Sequence, residues 1–194
     1  VELAASRFNR HTFWCGQSGS GKTYALGVVL EQLLMHTELP MLILDPNGDF
    51  TRIRETRTTA ANAEAERIAE TDIRTFGSGD SVHERLHVRY TELETSTKAA
   101  VMQLDPIVDA DEYNALIRVK EQAATFDSSE MLRRLRESGD SAKARLANRM
   151  ENLQVLEWRL WARGAESVID VIEERPRMTV LDLGGFDHPA EPKV

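Results

Sequence analysis

An α/β fold with a mostly parallel sheet, flanked by helices and carrying a helical insertion, is predicted by three features of this 194-residue chain. Two short runs, Met41-Leu42-Ile43-Leu44 and Met178-Thr179-Val180-Leu181, are continuously apolar or β-branched, the pattern of strands covered on both faces. An aromatic and β-branched run at His11–Cys15 is followed by a helical period and then by the first of those strands, which makes one strand–helix–strand unit. A long helical stretch separates that unit from the second apolar strand.

Each element has a local reason. His11-Thr12-Phe13-Trp14-Cys15 reads as a buried strand. The helix from about Lys22 to His36 is apolar on most sides (Ala25, Leu26, Val28, Val29, Leu30, Leu33, Leu34), as in a helix sandwiched in a core. Pro40 ends the connection, and Asp45-Pro46-Asn47-Gly48-Asp49 is a turn leaving the strand. A polar region follows, with a helix at Ala60–Glu70, a strand near Ile73–Phe76, the loop Gly77–Asp80 and a strand at Leu86–Tyr90. Asp109 or Asp111 suits the N-cap of a helix through Tyr113, Leu116, Ile117 and Val119. A longer helix is expected from Asp140 or Ser141 to Gly164, with Leu146, Met150, Leu153, Leu156 and Leu160 at helical spacing. The organisation expected is residues 1–90 as the first part of a core, 91–174 as the insertion and 175–194 as a returning core strand. The chain opens on Val1 without a methionine, which suggests a piece of a longer protein.

Composition excludes several classes. The net charge of −8 is not that of a basic nucleic-acid module, although a local basic surface is compatible with it. From Met131 to Arg163 eight basic residues face four acidic ones, a local +4 that leaves −12 for the remainder. A solvated, ion-paired helix face explains that excess more simply than a DNA-facing surface does. The single cysteine, Cys15, forbids an internal disulfide and fits a reducing cytoplasm; on a buried strand it would be inert. No apolar run reaches the roughly 20 residues that span a bilayer. His83 and His87 are the one histidine pair four apart, and they lack a Glu in metalloprotease register.

The strongest chemistry lies in Gly16-Gln17-Ser18-Gly19-Ser20-Gly21-Lys22-Thr23, a full G-x-x-x-x-G-K-[ST] match between a predicted strand and a predicted helix. Glycines let consecutive N–H groups turn inward around phosphates, and the following helix adds its own unsatisfied N–H groups. Lys22 is expected at the β- and γ-phosphates, the Thr23 hydroxyl on Mg²⁺, and Tyr24 alongside them. The cofactors expected are ATP and Mg²⁺. Asp45-Pro46-Asn47-Gly48 also fits the D-x-x-G element of GTPases, but no N-K-x-D base-reading motif exists in the chain.

Asn9-Arg10-His11 through Thr23, with Leu42-Ile43-Leu44-Asp45-Pro46-Asn47-Gly48-Asp49-Phe50, resembles the HerA/FtsK group of P-loop ATPases, specifically the HerA-like ATP-binding domain. The motif matches cover about the first 50 residues, and the rest is similar in layout. The resemblance implies a homo-oligomer, a hexamer, that uses ATP hydrolysis to pump DNA or sometimes protein through a ring. It also implies a role for Asp45 beside the metal or its waters, and an active-site role for Asp49. Asp49 stands where the group has Glu, and Ser18 where it has Thr. Asp182 is the one candidate in the chain for the acid at the end of a second core strand, though the layout of the group puts that acid further downstream. Two other readings compete: a nucleotide-binding regulatory or assembly module with marginal hydrolysis, and a small-molecule kinase with Arg133–Arg136 as its lid.

Overall fold

The computed structural model describes residues 11–55, 63–78, 84–119, 128–164 and 166–186. The chain divides into two compact units, Val1–Arg85 with Val171–Gly184, and Leu86–Asp170 with Gly185–Val194.

The first unit holds helices α1 (Lys22–His36) and α2 (Ala63–Glu70) and strands β1 (Met41–Asp45), β2 (Ile73–Gly77) and β3 (Glu84–Arg85); β4 (Met178–Asp182) returns to it late in the chain. All pairings are parallel, in the order β1-β4-β2-β3. The architecture is the α/β, P-loop-like one that the sequence predicts. β1 and β4 run in register from Met41 against Met178 to Asp45 against Asp182. Because successive side chains alternate across a sheet, Met41 and Ile43 lie with Met178, Val180 and Ile73 on one face. There they pack with Leu30, Leu34 and Met35 of α1 and Ile68 of α2.

Four expectations fail in this unit. Residues 11–15 form no strand, and Phe13 is 89% exposed. β-forming residues make a strand only where a neighbour supplies the hydrogen-bond ladder, and among the described residues β1 pairs with β4 alone. Cys15 is consequently exposed instead of buried. Coverage is also one-sided at β1, where Leu42 and Leu44 are 52% and 61% exposed. The all-round apolarity of α1 does not bury it either. Only Leu33, Leu34 and Met35 are buried, while Tyr24 and Val28 face solvent. Of the helix expected at Ala60–Glu70, residues 60–62 lie outside the described residues, as do Gly79 and Asp80 of the loop.

The second unit is helical, with α3 (Thr95–Val101), α4 (Ala110–Arg118), α5 (Ser128–Glu137) and α6 (Ser141–Asn152); α7 (Val168–Glu173) leads the chain back to the first unit. Its core includes Met102, Leu146, Met150, Val155 and Trp161. The strand expected at Leu86–Tyr90 is reduced to one bridge between Val88 and Trp161, with Tyr90 opening a 3₁₀ turn. The helix expected to reach Gly164 stops at Asn152. Gln154 adopts a left-handed conformation, and the chain turns so that Trp158 and Trp161 stack, their ring centroids 5.7 Å apart. The indole N–H of Trp161 donates to the Val155 carbonyl within this turn. Helical spacing of Leu156 and Leu160 therefore marks buried positions, and that of Leu153 a half-buried one, without marking an α-helix.

Candidate functional site

The loop Gly16–Thr23 takes the form its residue types dictate. Gln17 to Ser20 closes a turn, the Ser20 N–H donating to the Gln17 carbonyl at 3.2 Å. Gly21 caps α1 with φ at 80°, a left-handed conformation that glycine adopts without strain. No side chain caps this helix end. The N–H groups of its first turn are thus left for an anion, the arrangement on which phosphate binding at helix ends depends. Lys22 Nζ donates to the Gln17 carbonyl at 2.6 Å, so the ammonium lies over the loop itself. Thr23 and Tyr24 are exposed. Backbone donors, a lysine ammonium and an exposed hydroxyl are the groups a Mg²⁺-bound triphosphate requires, and the residues present fit it.

The far end of α1 is fixed by a residue that sequence reasoning missed. Arg177, one position before β4, donates to the carbonyls of Leu34, Thr37 and Leu39. α1 therefore ends at the amino ends of β1 and β4, and the loop lies at the opposite end of the helix. In open α/β sheets, ligands sit beyond the carboxyl ends of the strands.

Asp45 and Asp182 end neighbouring strands in register, and both are buried, at 2% and 8% exposure. Asp45 Oδ1 accepts from the Asn47 N–H at 3.3 Å and Oδ2 from the Phe50 N–H at 2.7 Å. Asp182 Oδ1 accepts from the Gly184 N–H at 2.9 Å. The two strand ends are also joined directly, the Leu183 N–H donating to the Asp45 carbonyl at 2.8 Å. Ser78 Oγ, beyond β2, donates to the Gly184 carbonyl. Asp49 is exposed on the turn between Asn47 and Phe50. The sequence marks Leu183 and Gly184 only as the end of a strand; their part in bracing the acids has no signal in residue type.

The family model described as "Helicase HerA, central domain" matches residues 1–193. The chain belongs to this family. The family is of an ATPase-type domain, which implies nucleotide and Mg²⁺ use, and its members are typically oligomeric. No curated protein and no solved structure matches the chain. Among the described residues no helix is long and apolar enough to cross a membrane, and no three His, Cys, Asp or Glu side chains could together hold a metal ion.

The basic stretch of this HerA central domain is largely paired. Arg133 and Arg134 bind Glu130, Arg136 binds Glu151, Arg145 binds Asp111 and Glu112, and Arg149 binds Asp109 and Glu112. Asp109 precedes α4 as expected, but its carboxylate takes Arg149 and the Asp105 N–H in place of the helix's own N–H groups.

Proposed function

We propose that this HerA central domain binds ATP with Mg²⁺ at Gly16–Thr23 and hydrolyses it to move DNA through a ring of copies. The observation that carries the reading is the uncapped start of α1, with Gly16, Gln17, Ser18, Gly19, Ser20 and Gly21 folded ahead of it and Lys22 lying over the loop. On binding, the loop N–H groups take the phosphate oxygens. Lys22 leaves the Gln17 carbonyl for the β- and γ-phosphates, a direct exchange of a neutral acceptor for an anionic one. The Thr23 hydroxyl holds the metal, Tyr24 lies alongside, and Asp45 with Asp49 forms the acidic flank. Mg²⁺ would supply neutralisation of the charge that develops on the phosphate oxygens.

One observation supports a second reading. The arginines of α5 and α6 are engaged within the chain, so none of those pairs offers an unengaged guanidinium to a neighbour's γ-phosphate. A nucleotide-binding assembly module with marginal hydrolysis would need none. Phosphate release from ATP·Mg²⁺, with and without double-stranded DNA, separates the two. Release that rises with DNA and disappears in Lys22→Ala supports the translocase. ATP binding without release in either condition leaves the module, and no binding at all rejects both.

A further inference from the structure

Two carboxylates buried side by side require compensation, and among the described residues neither Asp45 nor Asp182 has an ion pair. Backbone N–H groups satisfy them instead, and those groups belong to the loops that follow β1 and β4. Both oxygens of Asp45 are engaged, and the bonds close a ring of chain from Asn47 to Phe50. Within that ring Gly48 is left-handed, at φ 72°, and its carbonyl accepts from the Thr51 hydroxyl at 3.0 Å. Its backbone also lies against Asp182, since a Cβ there would stand 3.5 Å from Asp182 Oδ1. The one charged side chain that the ring displays to solvent is Asp49.

We infer that Asp45 is a positioning residue: it acts on the nucleotide site through the 46–50 turn, by holding Asp49 in place, and Asp182 is the wall against which that turn is set. The inference rests on the nucleotide-binding reading. It reassigns the work within the acidic flank, because Asp45 is buried with an N–H of the turn bound to each of its oxygens, whereas Asp49 is exposed. Asp49 is then the acid that meets the water shell of the metal.

Two readouts on the 194-residue chain test this. The first is amide hydrogen exchange at Phe50 without nucleotide, and the second is the gain in ATP affinity on adding Mg²⁺ over EDTA. Asp45→Asn is expected to speed exchange at Phe50 and to cut the Mg²⁺ gain, each about tenfold. Asp49→Asn is expected to cut the gain as much and leave the exchange unchanged. The double variant is then no worse than Asp49→Asn alone, since one acts through the other. Asp45→Glu, which keeps the charge and guards against a folding failure of the amide, is expected to lose the gain as well. Multiplying effects in the double variant, a gain kept by Asp45→Glu, or a gain lost with Phe50 exchange unmoved would each make Asp45 a direct ligand and overturn the inference. A wild-type chain that binds no ATP is a different failure, that of the nucleotide reading itself, and it removes the inference too.

Discussion

Arg89 and Asp170 form a two-pronged ion pair, with both guanidinium NH groups donating to the two carboxylate oxygens. Arg89, together with the Ser167 N–H, holds the Asp170 carboxyl below the ordinary aspartate range. A folded-state value below the unfolded one means that the pair's contribution is fully present above the unfolded value, about 4. It is lost as pH falls through the lower folded value. Melting temperature measured from pH 7 to pH 3 is therefore expected to fall more steeply for the wild type than for Asp170→Asn, with Asp170→Asn the less stable at pH 7. Equal slopes would show that the pair does not differ between folded and unfolded chains. Lys22 is a different case, because its partner is a carbonyl of the loop it serves. Its removal is expected to leave the melting temperature of the apo chain nearly unchanged, within the small range of surface substitutions.

At the scale of elements, α1 has a strong stop and an open start. Arg177 supplies the stop, and three carbonyls depend on it. Replacing it by Met keeps the aliphatic stem but leaves those acceptors without their charged donor, an expected cost of about 1.5–3 kcal/mol. Urea denaturation of Arg177→Met against wild type measures it, and a change under about 0.5 kcal/mol would mean that water replaces the donor freely. The bounds of α1, β1 and β4 were legible because the sequence signals there are local: Pro40, the apolar runs and the glycines of the loop. The turn and the left-handed glycine that open α1 were legible for the same reason. What escaped was long-range. Whether His11–Cys15 becomes a strand depends on a partner, not on its own residues. α6 ends just before Gln154 turns left-handed, ahead of the stacked Trp158 and Trp161, and no helical period encodes that turn. Arg177 looked like any arginine before a strand, and its target lies about 140 residues earlier in the chain.

For the whole molecule, the basic stretch forms the ion-paired helix face expected from the sequence. The +4 excess between Met131 and Arg163 is spread over arginines paired within the second unit, so DNA attraction cannot be read from the count alone. The family is typically oligomeric, and a protein of this kind that works as a ring is expected to be a homo-oligomer in which nucleotide occupancy raises the mass. Solution mass of the protein with a non-hydrolysable ATP analogue checks this, and a monomer at tens of micromolar with nucleotide bound would count against the ring. No base-reading element accompanies the P-loop in the sequence, so GTP is expected to compete with ATP within about 100-fold, or 2.7 kcal/mol. The claim beneath all of these is that Gly16–Thr23 holds a triphosphate. Calorimetric titration of ATP·Mg²⁺ into the wild-type chain and into Lys22→Ala addresses it most directly. Saturable one-to-one binding to the wild type, lost in a Lys22→Ala chain that melts like the wild type, is the predicted result; equal affinity in the two, or no heat of binding in either, would contradict it.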